Sequence, residues 1–305
     1  MRQPRIGMVG LGAIAQKVYL PLLSQQKEWI FVGAYSPTTS KRTALTASYR
    51  IQDFSSLADL IQACDAVFVH SSTSTHFAVV SELLNHGIDV YVDKPLAATI
   101  SEAEMLVECS QKNRRKLMVG FNRRFAPLYV SLKTLASEAA WIRIEKHRSN
   151  GITGSLEETM FDDYIHLVDT ARWMAEAPLH LCHGYLETNA HHQLVYAHHT
   201  FAYAQNRTLF TAMHRQAGTD LEQIELVSQD RVMRVKNMET LECEEQGKTV
   251  SSTTPVWDTI AKRRGFESAV LHFIQAVRDD IPLIVDGEEG LRTQQLVAEL
   301  LQQEK

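Results

Sequence analysis

The first 120 residues alternate short apolar runs with segments of helical periodicity. The apolar runs predict strands at Arg5–Val9, Ile30–Tyr35, Ala66–His70, Val90–Val92 and Leu117–Val119. The helical patterns between them predict helices at Ala13–Ser24, Thr38–Ser48, Ser56–Cys64, Thr75–Asn85 and Ser101–Lys112. Strands that alternate with helices of about 10–15 residues indicate a doubly wound parallel sheet. Ser101 is followed by Glu104, which predicts a capping box at the last of these helices.

The pattern changes after Arg123, where long polar–apolar alternation replaces the short apolar runs. Pro127 opens another helix, and Trp141–Arg148 predicts a long strand. Further strands are predicted at Tyr196–Tyr203, Thr208–His214, Glu222–Leu226 and Val232–Val235, before two helices at Phe266–Asp279 and Glu288–Gln303. The expected fold class is therefore α/β, in two domains. Residues 1–122 would form a Rossmann doubly wound parallel sheet, and residues 123–305 an α+β domain with a mainly antiparallel open sheet.

Composition narrows the class of protein. The chain has 305 residues and a net charge of −5, whereas a nucleic-acid-binding domain is usually basic, so no nucleic-acid partner is expected. No apolar run approaches the roughly 18 residues that span a bilayer. Four cysteines without a C-x-x-C spacing fit a reducing compartment, and we expect a cytoplasmic protein. Ala13-Ile14-Ala15, after an apolar run, leaves a signal-peptide cleavage site as an alternative.

A phosphate-binding turn is predicted directly after the first strand. Gly10, Gly12 and Ala15 form the pattern G-x-G-x-x-A, with Ala13 and Ile14 between them. The first glycine permits the tight turn, the second admits a pyrophosphate, and the alanine allows close helix packing. A glycine-rich turn without function is the alternative, but the strand–turn–helix context favours a dinucleotide site.

The end of the second strand bears on the choice of cofactor. NAD enzymes usually place an acidic residue there, on the ribose hydroxyls. This chain has Ser36 instead, with Lys41 and Arg42 close behind. Two cations could bind a 2′-phosphate, so NADP is expected to be preferred, with NAD possible. The alternative is that both cations merely solvate a helix face.

Four ordered motifs resemble the Gfo/Idh/MocA family of oxidoreductases, and among its members the bacterial MviM-type proteins. They are Cys64–Val69 with Ser71, Ser72 and His76; Gly87–Pro95, similar to a strand ending in E-K-P; Met118–Phe125 with Pro127; and Phe161–Asp169, similar to D-x-G-x-H-x-x-D. Three residues depart from the family pattern. Asp93 replaces Glu, Ser72 stands where Pro is common, and Tyr164 replaces Gly, which would put a phenol in or beside the substrate pocket.

The resemblance implies a set of site residues. Catalysis would rest on Lys94, Asp162 and His166, which would also contact the substrate together with Arg148 and Tyr164. The cofactor would be bound by Gly10, Gly12, Ala13, Ile14, Ser36, Lys41, Ser71, Ser72, His76, Asp93, Lys94, Asn122 and Arg123. A homodimer or homotetramer is expected as well, because family members commonly pair through the open sheet face.

The catalytic residues have suitable chemistry for alcohol oxidation. His166, with an ordinary pKa near 6.5, suits proton acceptance at neutral pH. Asp162 precedes it by four residues and shares its helix face, and Asp169 could hold the ring from the other side. Lys94 could stabilise developing negative charge on the substrate oxygen. Taken singly, each residue is more often a solvated charge or a surface pair.

Two further groups have the chemistry of binding residues. Lys146 or Arg148 could bind an anionic substrate group, although a solvated strand face is an equal alternative. The second half of the chain contains six histidines whose spacing is not that of metal ligands, so no metal site is expected. They are His180, His183, His191, His192, His198 and His199.

The function expected is hydride transfer between a nicotinamide cofactor and a hydroxyl or carbonyl carbon of a polyhydroxylated small molecule, such as a sugar or cyclitol. Two alternatives stay open. One is a nucleotide-binding sensor without turnover. The other is a cofactor-using lyase or glycosidase that shows no net redox change.

Overall fold

The structure, a computed structural model, describes residues 3–25, 28–204 and 207–302. The chain divides into two compact units. The first comprises Met1–Phe121 with Glu267–Arg292, and the second Asn122–Phe266 with Thr293–Lys305. The division between Phe121 and Asn122 coincides with the expected boundary near residue 122. Residues 267–292, which were expected in the second domain, belong to the first compact unit.

The first unit is built on a six-stranded parallel sheet with the order β3-β2-β1-β4-β5-β6. Its strands are β1 (Arg5–Val9), β2 (Ile30–Tyr35), β3 (Gln52–Asp53), β4 (Ala66–Val69), β5 (Asp89–Val92) and β6 (Leu117–Val119). The central strands are buried throughout, as expected for a sheet with helices on both faces. The predicted Rossmann topology is confirmed.

The helices of the first unit lie between these strands and in the returning segment. They are α1 (Leu20–Leu23), preceded by a π-helical segment Ala15–Tyr19, α2 (Thr39–Tyr49), α3 (Leu57–Ala63), α4 (His76–Asn85) and α5 (Ile100–Asn113), with most of α10 (Phe266–Asp279) and the start of α11 (Gly287–Leu301). The capping box of α5 uses Thr99 and Glu102. The Ser101–Glu104 box was therefore wrong by two residues, since both pairs share the same spacing.

An aromatic cluster explains why α10 belongs to the first unit. Phe68 and Tyr91 stack with ring centroids 4.8 Å apart, and Phe273 of α10 meets Phe68 edge-on at 5.3 Å. After α10, the amide of Val119 donates to the carbonyl of Val285 at 3.1 Å, which extends the sheet edge at β6. The sheet face needs an apolar cover, and a distant part of the chain supplies it.

The second unit contains an eight-stranded sheet with the order β14-β13-β12-β11-β7-β10-β9-β8. Its strands are β7 (Trp141–His147), β8 (His180–Thr188), β9 (Leu194–Tyr203), β10 (Arg207–His214), β11 (Leu221–Val227), β12 (Arg231–Lys236), β13 (Thr240–Glu245) and β14 (Lys248–Thr253). Only β7 and β10 pair in parallel among the pairs of this sheet within the described ranges. The predicted mainly antiparallel sheet is confirmed.

Short helices complete the second unit. They are α6 (Pro127–Lys133), α7 (Leu156–Thr159), α8 (Ile165–Ala175) and α9 (Ile260–Arg263), with a 3₁₀ segment Asn122–Phe125 and a π-helical turn Met160–Tyr164, hereafter the π-turn. The predicted end of the last helix at Gln303 lies outside the described residues. In the part of the chain that the structure describes, no helix is long and apolar enough to cross a membrane.

Candidate active site

The glycine-rich turn at the end of β1 is shaped by a close backbone approach. Gly10 has φ +89°, and a Cβ there would lie 2.4 Å from the amide nitrogen of Ser71. Gly12 has no such crowding, since a Cβ added there would have the carbonyl oxygen of His70, at 3.8 Å, as its nearest neighbour. Gly10 is therefore required by the fold, whereas the open side of Gly12 fits the approach of a pyrophosphate.

Lys41 and Arg42, the two cations expected to bind a 2′-phosphate, lie at the start of α2 and have different surroundings. Arg42 is buried, pairs with Asp53 and donates to the carbonyl oxygen of Ser36 at 2.7 Å. Its charge is thus compensated within the unit, which corrects the expectation that it would meet the cofactor. Lys41 is exposed, and the first turn of α2 holds no acidic residue. Lys41 is the cation that remains for a phosphate.

The loops after β4 and β5 are joined by a buried histidine. His76 is 1% exposed; its Nδ1 lies 2.9 Å from the carbonyl oxygen of Pro95, and its Nε2 lies 3.1 Å from that of Ser71. Burial lowers the pKa of His76, against the effect of these two carbonyls. The ring contacts protein on both sides, and the expected contact of His76 with a cofactor stays a prediction. The ring holds Ser71 near the peptide that follows Lys94.

Asp93 and Lys94 stand directly after β5, at the carboxyl edge of the parallel sheet. The Asp93 carboxylate accepts a hydrogen bond of 2.9 Å from the Lys94 amide, and its other oxygen lies 3.8 Å from Nδ1 of His70. Burial raises the pKa of Asp93, but His70 and Lys94 outweigh it and hold the pKa below its usual range. Sequence reasoning missed His70, whose signal is a polar residue at the end of an apolar strand.

The π-turn and α8 carry Asp162 and His166 in the second unit. Asp162 is exposed, whereas His166 is 8% exposed. The amide of Ile165 reaches back to the carbonyl of Met160, five residues earlier. Single π-turns within helices occur frequently at functional sites. The resemblance to the family motif implies a helix here, and the π-turn is a departure from regular helix geometry within it.

Tyr164 belongs to the core of the second unit. It is 0% exposed, and its hydroxyl lies 2.6 Å from Nδ1 of His199 and 2.8 Å from Oγ1 of Thr211. Burial lowers the pKa of His199 to about 4, so this ring is neutral at neutral pH. The expectation that Tyr164 contacts substrate is therefore corrected: its phenol fills space between α8 and the sheet.

Asp169 also has a structural role. Its carboxylate accepts hydrogen bonds from Nε of Arg124 at 3.0 Å and from Nη2 at 2.6 Å, and both side chains are buried. The hydroxyl of Thr293 lies 3.3 Å away. The expectation that Asp169 holds the ring of His166 is corrected accordingly.

A network of buried charges runs from the 3₁₀ segment to the π-turn. Arg123 pairs with Glu222, with Nη2 2.9 Å from the carboxylate. Lys146 lies 4.0 Å from the same carboxylate and pairs with Asp163, which also pairs with Arg215. Despite the cost of burial, the neighbouring cations hold the pKa of Glu222 and of Asp163 at about 2. Both acids are therefore ionised at neutral pH.

This network and its surroundings include four residues that were expected to bind a cofactor or a substrate. Arg123 and Asn122 are buried and bonded within the second unit, Asn122 to the carbonyl oxygen of Arg264 at 2.7 Å, and their expected cofactor contacts stay a prediction. Lys146 is 2% exposed and cannot serve as a free anion-binding residue. Arg148 is half-buried, and its Nη1 donates to the carbonyl oxygen of His147 at 3.1 Å.

The described residues contain no group of three or more His, Cys, Asp and Glu side chains placed to hold a metal ion. His198 stacks with Tyr185 on the sheet surface, with ring centroids 6.0 Å apart, and His183 lies 5.8 Å from His198 between ring centroids.

Comparison with known proteins matches a family model to each of the two units. Residues 4–121 match a family model described as the oxidoreductase family with an NAD-binding Rossmann fold, and residues 127–246 match the YceM-like C-terminal domain. The chain is 43% identical over 302 residues to YceM of Salmonella typhimurium, an oxidoreductase by name, and the match covers 98% of each. The chain belongs to the Gfo/Idh/MocA family of oxidoreductases.

Two other relatives extend the comparison of this Gfo/Idh/MocA protein. The crystal structure of the dehydrogenase MviM from Clostridium difficile has a TM-score of 0.96 and 41% identity, covering 99% of each chain. Inositol 2-dehydrogenase from Acidothermus cellulolyticus is 29% identical over 189 residues, which is 58% of this chain and 55% of that enzyme. The resemblance to the family is thus confirmed, and a nicotinamide cofactor follows from the family model.

Proposed function

We propose that this protein is an NADP-preferring dehydrogenase or reductase that acts on a CH–OH or carbonyl carbon of a sugar, cyclitol or related polyhydroxylated molecule. The observation that carries the proposal is the open backbone at Gly12, on the same carboxyl edge of the sheet where β5 ends in Asp93 and Lys94. Ligands bind at that edge in doubly wound sheets. The inositol dehydrogenase relative supports the substrate class.

Each proposed catalytic residue has one task. When bound, the nicotinamide supplies a hydride acceptor or donor. In the oxidation direction, His166 accepts the proton of the substrate hydroxyl while the carbon loses a hydride and the C=O bond forms. The ammonium of Lys94 stabilises the negative charge that develops on the oxygen. Asp162, exposed on the π-turn, orients the substrate by accepting a hydroxyl hydrogen bond.

The proposal keeps a smaller set of binding residues than the family motifs imply. The cofactor set keeps Gly10, Gly12, Ala13, Ile14, Ser36, Lys41, Ser71, Ser72, Asp93 and Lys94. The substrate set keeps Lys94, Asp162, His166 and Arg148; Arg148 is included because it is half-buried at the end of β7 and could bind an anionic group.

Self-association through the open face of the eight-stranded sheet is also proposed. Along β9, Ala197, His199 and Phe201 are buried, whereas Tyr196 and His198 face the other side. That side carries stacked rings, and Tyr185 is 44% exposed. An aromatic sheet face of this kind is suited to a protein partner, and a second copy is the occupant that we propose.

The cofactor part of the proposal is tested by two glycine variants and a substrate screen. Gly12→Ala should leave the melting temperature unchanged, because its Cβ has space, and should weaken NADPH binding about tenfold or more. Gly10→Ala should lower stability by about 1–3 kcal/mol, because of the positive φ and the Ser71 backbone. Fluorescence titration and thermal unfolding measure both effects.

Sugars and cyclitols are then screened with oxidised and reduced cofactors, using Gly12→Ala as the control. We expect a change in nicotinamide absorbance with at least one polyhydroxylated compound, reduced in the variant. Tight NADPH binding without turnover of any compound in either direction would support a sensor. Product release without a change in absorbance would support a lyase or glycosidase.

A further inference from the structure

The π-turn contacts two cations that are distant from it in the sequence, Lys146 on β7 and Arg215 directly after β10. Asp163 lies directly after Asp162 and three residues before His166. One oxygen of its carboxylate contacts Nζ of Lys146, and the other contacts Nη1 of Arg215. Arg215 is fixed in turn, because its Nε donates to the carbonyl oxygen of Gly151 at 2.7 Å. Lys146 and Arg215 are 2% and 6% exposed.

These contacts act on Asp163, within the π-turn Met160–Tyr164. A π-turn adds one residue to a helical turn and redirects the side chains around it. Tyr164 and Asp169 fix later positions of the same helix, but Asp163 is the anchored residue that lies beside Asp162. A small displacement of a catalytic group can cost about 100-fold in rate.

We propose that Lys146, Asp163 and Arg215 are positioning residues, which fix the π-turn and thereby the directions of the Asp162 and His166 side chains. We call these three residues the π-turn lock. The catalytic consequence rests on the proposed function, whereas the structural consequence does not.

The electrostatics of Lys146 make the lock sensitive to alkaline pH. Lys146 faces Asp163 from the π-turn, Glu222 from β11 and Arg123 from the 3₁₀ segment. Burial and Arg123 lower the pKa of Lys146 from 10.5 to about 8, although both acids oppose this. In the folded protein Lys146 therefore loses its charge as the pH rises through about 8. Above that pH, Arg215 is the charged partner that holds Asp163.

The test observes His166 directly. The full-length chain is labelled with ¹⁵N-histidine, and the imidazole signals of His166 are identified by their loss in His166→Gln. We expect Lys146→Met to move the His166 signals, and Lys146→Arg, which keeps the charge, to leave them near the wild-type positions. Arg234→Met is the matched control, since Arg234 pairs with Glu225 and Glu244 on other strands of the same sheet.

A pH titration of the same signals keeps the test decisive if Lys146→Met does not fold. In the wild type the His166 signals should shift with a midpoint near pH 8, and in Lys146→Arg this step should be absent, because arginine does not titrate there. The lock is overturned if the wild type shows no such step. It is also overturned if a folded Lys146→Met variant leaves the His166 signals in place.

Kinetics separate this proposal from the proposed function. Asp163→Asn should lower kcat about 10- to 100-fold and leave NADPH affinity within about twofold, because the cofactor residues lie in the first unit. Unchanged kcat would remove the catalytic consequence of the lock. If His166→Ala also retained full turnover, His166 would be removed from the proposed mechanism, whereas absence of turnover with every compound would refute the proposed function; in either case the NMR result would still decide the lock.

Discussion

At the scale of single residues, the two proposed catalytic groups Lys94 and His166 have different surroundings. Lys94 is half-buried, and its backbone amide donates a hydrogen bond to the carboxylate of Asp93. His166 is almost fully buried on α8, and its backbone carbonyl accepts the hydroxyl of Thr170 at 2.7 Å. The burial of His166 shields the proposed general base from water, whereas Lys94, the proposed charge-stabilising group, is partly accessible.

The residue-scale prediction concerns turnover. His166→Ala should lower kcat by about 100- to 10,000-fold, the usual contribution of general acid–base catalysis, and leave cofactor affinity nearly unchanged. Lys94→Ala should cost a similar factor, because it removes a donor aimed at developing charge. Steady-state kinetics and NADPH titration measure these effects. Wild-type turnover in both variants would remove these residues from the mechanism.

At the scale of elements, the start of α2 determines which charges are available to a cofactor phosphate. The N-cap residue of α2, Thr38, makes no side-chain capping bond, and no acidic residue follows in the first turn. The first turn of this helix therefore carries no acidic side chain that would repel a phosphate at its positive end, while the Asp53 carboxylate contacts Arg42 and Thr43 further along. Because Arg42 is paired with Asp53, the preference for NADP depends on this helix start and on Lys41.

The element-scale prediction is a change of cofactor preference. The wild type should bind NADPH more tightly than NADH. Ser36→Asp should reverse the order by about tenfold, because the new carboxylate repels the 2′-phosphate and can bond the ribose hydroxyls. Lys41→Ala should weaken NADPH and leave NADH unchanged, which serves as the control. Fluorescence titration decides the matter, and equal or tighter NADH binding by the wild type would contradict it.

At the scale of the whole molecule, each unit is completed by residues remote in the sequence. Phe273 of α10 covers the parallel sheet at Phe68, while Thr293, directly after the returning segment, contacts Arg172 at 2.7 Å in the second unit. The chain therefore passes between the units more than once. A fragment that ended at residue 122 would lose the cover of its own sheet.

The whole-molecule prediction is self-association. Light scattering at micromolar concentration should show a dimer or tetramer. Tyr185→Glu, which places a charge on the exposed aromatic face, should shift the mass toward the monomer, whereas Val256→Glu, at an exposed position outside the strands, should not. A monomeric wild type would remove the proposal.

The sequence by itself determined the parallel sheet, the glycine turn and the family. Short apolar runs at regular spacing specify buried parallel strands, and Gly10 is required because its φ and the nearby Ser71 backbone exclude a side chain. The positions of Lys94, Asp162 and His166 in family motifs were equally readable, because such motifs are local. These features depend on residues close together in the chain.

Only the tertiary structure decided which charges are paired within the fold. Arg42, Arg123, Lys146 and Asp169 had the chemistry of binding residues, but each pairs with a partner that arrives from another part of the chain. Periodicity also could not show that residues 267–292 return to the first unit, or that a π-turn redirects Asp162. These ion pairs, and the packing of the returning segment on the parallel sheet, depend on contacts between distant segments. No local pattern of residues encodes such contacts.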